Sequence, residues 1–247
     1  MCHKSTGDPR LHRSYLDRAG QVDCVYLDMS EAFYKVRHDL LMEKLWDAGL
    51  GGILLTWFRA YLYGRRQRVT VLGATSRDLP LTSGVPQGSI LGPALVLLYV
   101  NNLSDSILNI KVAMHADDTK VYKVVIYEDD GAALQQDLDN LPSWCVASGI
   151  ALNDKKCKLQ TITRKLKPIC TSYAVNGSTI KSCEEERDLS VSLERDLTRN
   201  AQVSHQDARA SKLLGFVKRN SRFIHSTSVR RTYLGLVRAH LGYATQV

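Results

Sequence analysis

Ala113-Met114-His115-Ala116-Asp117-Asp118-Thr119-Lys120-Val121-Tyr122 is the stretch on which the reading of this chain turns. The apolar run Ile110 to Met114 enters it, and the β-prone run Thr119 to Tyr127 leaves it. That pattern predicts a β-hairpin with two adjacent carboxylates at its tip. Successive strand side chains alternate faces, so Asp117 and Asp118 need a turn between them to approach one site. A turn suits Asp, whose side chain bonds nearby backbone. By itself the stretch is also consistent with an ordinary Asp-rich turn, and the rest of the chain has to decide.

Upstream, Val22-Asp23-Cys24-Val25-Tyr26-Leu27-Asp28 reads as a buried strand that ends on another carboxylate. Ser30 is a turn residue, and Glu31-Ala32-Phe33 starts a helical turn. Leu40, Leu41, Met42, Leu45 and Trp46 recur at helical spacing, and Gly49 closes that helix. A second amphipathic helix covers Ile53 to Leu62, and Gln67 to Leu72 alternates as a strand. The loop Thr82-Ser83-Gly84-Val85-Pro86-Gln87-Gly88-Ser89 opens an apolar helix from Ile90 to about Val100.

Downstream, Leu134, Leu138, Leu141 and Trp144-Cys145 share one face of a helix over 129–148. The polar turn Asn153-Asp154-Lys155-Lys156-Cys157-Lys158 leads into a strand, Leu159 to Thr163. Asn176-Gly177 marks a hairpin, and Arg187 to Leu193 reads as one short strand. Two basic amphipathic helices follow Leu197, broken near Asn220 to His225. Strands and helices do not alternate strictly. The expected class is α+β, an antiparallel sheet with helices on one face. Trp46, Trp57 and Trp144 lie on apolar helix faces and are expected in the core.

Composition narrows the function classes. At 247 residues the chain can hold one large domain or two small ones, and 44% hydrophobic residues suffice for a core. No run approaches the roughly 18 apolar residues of a membrane span. Met1 to Arg18 is polar, without a signal-peptide core, so an intracellular, non-secreted protein is expected. The six cysteines are scattered, with no zinc spacing, and read as reduced thiols. The net charge is +8, and from Ala201 onward eight Lys/Arg face one acid, Asp207. With Arg65, Arg66 and Arg68, this suits either a polyanion partner or a solvated basic face.

The chemistry rests on Asp28 with Asp117 and Asp118, carboxylates distant in sequence and each at a strand end. Clustered carboxylates are costly without a cation. A set of Asp without His or Cys suits a hard, oxygen-seeking ion, Mg²⁺ or Mn²⁺. Two such ions about 3.5–4 Å apart can clamp the attacking and leaving oxygens of phosphoryl transfer.

Three blocks in order, Tyr26-Leu27-Asp28-Met29-Ser30-Glu31-Ala32-Phe33, Thr82-Ser83-Gly84-Val85-Pro86-Gln87-Gly88-Ser89-Ile90-Leu91-Gly92-Pro93 and Ala116-Asp117-Asp118-Thr119, resemble the reverse transcriptases of non-LTR (LINE-type, jockey-like) retrotransposons. The resemblance runs from about Gln21 nearly to the end. It implies a right-hand polymerase, with a palm over 21–195, a partial fingers insertion at about 37–80 and a helical thumb over 196–247. Residues 1–20 would be a remnant of truncated fingers, and the whole a fragment of a retroelement reading frame.

By the same resemblance, Asp28, Asp117, Asp118 and the carbonyl of Met29 hold two Mg²⁺, with Mn²⁺ a substitute. Glu31, Ala32, Phe33, Gln87 and Gly88 meet the incoming deoxynucleoside triphosphate, with Phe33 as the steric gate against a 2′-OH. Lys156 matches the lysine that protonates the leaving pyrophosphate. Arg65, Arg66, Arg68, Lys212, Lys218 and Arg219 would track an RNA template and a DNA primer. The implied activity is RNA-directed DNA polymerisation, and the alternative is an inactive remnant that only binds nucleic acid. Four positions depart from the family pattern: Tyr34 for Asp, His115 for Tyr or Phe, Asn102 for Asp and Ser190 for Gly.

Overall fold

The computed structural model describes residues 20–115, 118–221 and 225–243. Two compact units divide them. One holds Val22–Leu159 and Ile169–Ser182, the other residues 20–21, Gln160–Pro168 and the chain from Cys183 onward.

The first unit is built on β1 (Gln21–Leu27), which is buried at nearly every position. Both alternating sets of its side chains are covered, the polar Gln21 and Asp23 among them, and Asp23 Oδ2 accepts the Tyr173 hydroxyl at 2.7 Å. The short strand β2 (Met29–Ser30) and the helical turn α1 (Ala32–Lys35) follow. Helix α2 (His38–Asp47) buries His38, Leu41, Met42 and Leu45, the one-sided spacing of a helix on a core. Helix α3 (Gly52–Leu62) leads into an exposed hairpin region.

That region departs from the single expected strand. β3 (Arg66–Gln67) pairs with β6 (Leu79–Pro80), whereas β4 (Thr70–Val71) pairs with β5 (Ala74–Thr75). The inner turn needs left-handed backbone at Leu72 and Gly73, φ 51° and 85°. Helix α4 (Gly92–Val100) begins with Pro93 in its first turn, where no backbone N–H is missed.

The opening decapeptide forms the expected hairpin. β7 (Lys111–His115) and β8 (Asp118–Val124) are antiparallel, from Lys111 opposite Tyr122 to His115 opposite Asp118. β8 in turn pairs antiparallel with β1, from Val22 opposite Val124 to Leu27 opposite Thr119. Helix α5 (Glu128–Ser148) starts where the Asp130 carboxylate accepts the backbone N–H groups of Ile126 and Tyr127 at 2.9 and 3.0 Å. These bonds hold the Asp130 carboxyl below the usual carboxylate range. It ends at Gly149, φ 70°, a left-handed position suited to glycine.

β9 (Ala151–Leu152) pairs with β2, and β10 (Lys158–Thr163) joins the main sheet. The Asn176-Gly177 hairpin is β11 (Ala174–Val175) against β12 (Ser178–Thr179). β13 (Lys181–Ser182) closes the sheet, whose order is β13-β10-β1-β8-β7. Its β1–β8 and β7–β8 pairs are antiparallel, and its β10–β13 pair is parallel.

Leu27, Leu41, Val96, Leu138 and Leu159 belong to one core. A polar knot is set into this unit. The Asp137 carboxylate is buried and accepts the backbone N–H groups of Leu108, Asn109 and Ile110 at 3.2, 2.7 and 3.0 Å. Asn102 Oδ1 accepts from Lys44 Nζ at 2.7 Å and Trp144 Nε1 at 3.2 Å. Burial pushes the Lys44 ammonium below the usual lysine range. The aspartate expected at position 102 would bring the half-buried Lys44 a counter-charge; asparagine brings a bond.

Trp144 is buried as expected, whereas Trp46 and Trp57 are 61% and 50% exposed, which overturns their assignment to the core. Helical spacing alone does not say whether a stripe is covered.

In the second unit the single strand expected over 187–193 is a hairpin, β14 (Glu185–Asp188) against β15 (Val191–Glu194). Its two-residue turn puts Leu189 and Ser190 at φ 47° and 67°. L-residues there are strained by about 1–2 kcal/mol each relative to right-handed backbone. Ser190→Gly is therefore expected to stabilise the protein by about 1 kcal/mol. Thermal unfolding checks this, and an unchanged or lower midpoint would refute it. Ser192 ties the hairpin to helix α6 (Asn200–Asn220), its N–H donating to Gln202 Oε1 at 3.0 Å. Helix α7 (Ser226–Thr232) runs through a π-helical stretch, Tyr233–Arg238, into α8 (Ala239–Leu241). Val237 packs with Ala210 and Val217 of α6.

Candidate active site

The β1–β8 register ends with Leu27 opposite Thr119, and one step further along the two strands stand Asp28 and Asp118. Two carboxylates ninety positions apart in the chain thus sit at the same end of neighbouring strands. Asp118 is the exposed first residue of β8. Asp117, with Ala116, lies outside the described residues. Among the described residues no three His, Cys, Asp or Glu side chains converge.

Asp28 organises its surroundings with both ends of the residue. Its carbonyl accepts the Asn153 N–H at 2.8 Å, and Asn153 O accepts from Lys156 N and Cys157 N at 2.9 and 3.1 Å. The turn so held brings Lys156 Nζ within 3.4 Å of Asp28 Oδ2, with side chains 66% and 38% exposed. Asn176 Nδ2 pins the turn from outside by donating to Asp154 Oδ1 at 2.8 Å. The fold itself thus supplies Asp28 with a cationic partner, the Lys156 ammonium. All-oxygen donors open to solvent fit a hard divalent ion. Cys157, the next residue, is buried; burial pushes its thiol up and leaves it a packing group.

Beyond Asp28, Met29 is buried and pairs with Leu152. Glu31 takes left-handed backbone, φ 54°, and lies 3.6 Å from Lys35 Nζ. That reversal turns Ala32–Lys35 against the loop 83–89. Val85 N donates to Phe33 O and Gly84 N to Val36 O, both at 2.8 Å. Ser83 Oγ donates to Tyr34 O at 2.9 Å. The approach is so close that a Cβ at Gly84 would lie 2.8 Å from Phe33 O. At the loop's far end, Ser89 Oγ donates to Pro86 O at 2.6 Å and accepts from Gly92 N at 3.0 Å. Ala32 is buried, Phe33 half-buried, and Gln87 and Gly88 exposed. The structure thus draws together the Asp28 block, the turn carrying Lys156 and the loop carrying Gln87.

Two contributors carried no sequence signal of their role. Tyr34, one of the departures from pattern, donates its hydroxyl to Gln87 Oε1. His38, read as part of a helix, is buried and its Nε2–H donates to Gly84 O at 2.7 Å. Each bond spans about fifty positions, a contact no local pattern predicts.

Arg65, Arg66 and Arg68 are exposed in the region after α3, and Lys212, Lys218 and Arg219 are exposed along α6 of the second unit. No helix among the described residues is long and apolar enough to cross a membrane.

A family model described as "Reverse transcriptase (RNA-dependent DNA polymerase)" matches residues 2–236. Among curated proteins, the RNA-directed DNA polymerase from mobile element jockey of Drosophila funebris is 30% identical over 193 residues, which is 74% of this chain and 21% of that protein. The probable RNA-directed DNA polymerase from transposon BS of Drosophila melanogaster is 29% identical over 193 residues, 71% of this chain and 20% of that one. The chain spans about a fifth of the length of these relatives. Among solved structures, a Candida tropicalis telomerase in complex with a fragment of telomeric RNA superposes with a TM-score of 0.54 at 12% identity. It covers 94% of this chain and 40% of that one. At that identity the likeness speaks for the mixed α+β fold alone.

Proposed function

From the premise that this chain belongs to the reverse transcriptase (RNA-dependent DNA polymerase) family, we propose that it is the polymerase portion of a jockey-like non-LTR retrotransposon protein. It would extend a DNA 3′-OH on an RNA template using deoxynucleoside triphosphates. The observation that carries this reading is the strand register that sets Asp28 and Asp118 at one sheet end, with Lys156 3.4 Å from Asp28.

In this reading Asp28, Asp117, Asp118 and the Met29 carbonyl hold two Mg²⁺, or Mn²⁺. When bound, these ions supply Lewis-acid stabilisation of the charge that develops on the reacting oxygens. The chain's own groups do the rest. Lys156 delivers a proton to the leaving pyrophosphate. Glu31 and Ala32 offer the triphosphate the backbone at the start of a helical turn, and the Phe33 ring stands under the sugar. Gln87, held by Tyr34, and Gly88 present the loop to the nascent base pair. The palm is assigned to 21–195, the fingers insertion to about 37–80 and the thumb to 196–247, whose Lys212, Lys218 and Arg219 neutralise phosphates.

The test is primer extension by the purified chain on an RNA template with Mg²⁺, repeated with Asp117→Ala. Extension lost in the variant is expected. Salt-sensitive primer–template binding without any extension would refute the enzyme and leave the inactive, nucleic-acid-binding remnant.

A further inference from the structure

Helix α3 carries a row of rings that runs from the edge of the core at Tyr61 to solvent at Trp57. Trp57 and Tyr61 are stacked, with centroids 5.4 Å apart and planes within 9°. The Arg65 guanidinium lies over Tyr61 at 5.5 Å and is fixed there by donating from Nη1 to Tyr61 O at 3.3 Å. Trp57, Tyr61 and Arg65 are four positions apart, so they form one column along the helix and its exit. Beside it, Arg59 stands 5.8 Å from the ring of Tyr63.

Packing against the core accounts for the Tyr61 ring but not for the open face of Trp57. Trp57 is half exposed rather than packed away. Tyr61 buries its hydroxyl without a partner, although a tyrosine left to itself would keep that group wet. Charge identifies the occupant. Residues 52–80 carry five arginines and one acid, Asp78. Asp78 is engaged, its Oδ2 lying 4.0 Å from Arg66 Nε. Flat apolar rings alternating with fixed guanidinium planes match unpaired bases and the phosphates between them.

We propose that the Trp57–Tyr61–Arg65 column is a stacking platform for an unpaired nucleic-acid strand, with the outer face of Trp57 receiving a base and Arg59, Arg65 and Arg68 the flanking phosphates. The inference deepens the proposed function and rests on it in one respect: a copied RNA must be held single-stranded somewhere on the protein. Stacking is tolerant of sequence and sugar, so both RNA and single-stranded DNA qualify.

The test measures binding of a labelled, unstructured 15-nucleotide strand by fluorescence anisotropy, without primer, triphosphate or divalent ion, so its outcome is independent of polymerisation. The probes are an RNA, a DNA of the same sequence, and an abasic strand that keeps the phosphates. The full chain is expected to bind the two base-bearing strands about tenfold more tightly than the abasic one. Trp57→Ala removes that preference and leaves abasic binding unchanged, while Trp57→Phe retains most of it. Arg65→Ala weakens all three probes and lowers the salt slope by about 0.7. Trp46→Ala, at an exposed tryptophan outside the column, changes nothing. Equal affinity for base-bearing and abasic strands would overturn the proposal. So would a Trp57→Ala effect confined to self-association, which would make the patch a contact between protein chains.

Discussion

Asp28→Asn is expected to lower primer extension about 10³-fold or more while leaving the fold intact, since under the proposed function several kcal/mol of charge stabilisation separate the two side chains where the metal ions would be held. The fold should survive because the carboxylate is half-exposed and ion-paired at the surface with Lys156. Such a pair contributes about 0–1 kcal/mol to stability. The structural anchor is instead the Asp28 carbonyl, which accepts the Asn153 N–H and is untouched by the substitution. Lys156→Ala separates two roles for its ammonium. If it delivers a proton, kcat falls about 10²-fold, KM for the triphosphate holds and the loss shifts with pH. If it serves only as a counter-charge, Lys156→Arg restores full activity and the pH profile stays put. Single-turnover extension at saturating triphosphate reads both. Asp28→Asn activity within tenfold of the parent would remove Asp28 from the reacting centre.

Asp137→Ala is expected to destabilise the protein by about 3 kcal/mol or more. Its carboxylate accepts three consecutive backbone N–H groups and the Asn109 amide, all spanning 27 to 29 positions. Truncation strands three donors at about 1–3 kcal/mol each, less whatever water enters the space. Asp137→Asn is no rescue, because its amide would present N–H to N–H. Urea unfolding of the three proteins makes the comparison. A loss under 1 kcal/mol for Asp137→Ala would mean that the loop over 107–110 finds other partners.

Much of this architecture was legible in the chain. The apolar run ending at Asp28, the hairpin around Ala116-Asp117-Asp118 and the loop 83–89 are local patterns, and local patterns survive folding. The mixed α+β class and the family both followed from them. What stayed hidden was of two kinds. Long-range bonds such as Tyr34 to Gln87 and His38 to Gly84 depend on which surfaces meet, which no window of residues encodes. Coverage was the other. Trp46, Trp57 and Trp144 have the same helical context, yet only Trp144 has elements packed over it. The hairpin over 185–194 was read as one strand because Leu189-Ser190 lacks the glycine that usually marks such a turn.

The Asp137 knot also sets a schedule. The three amides it satisfies belong to residues 108–110, and the carboxylate follows them by 27 to 29 positions. At roughly 5–20 residues per second of synthesis, those amides leave the ribosome about 1.5–6 s before their acceptor does. For that interval the strand leading to Asp117 has no capping partner, and hydration or a chaperone must stand in. The loop over 108–110 can therefore set only after the helix that carries Asp137 has emerged, an order of events that refolding of the finished chain does not impose.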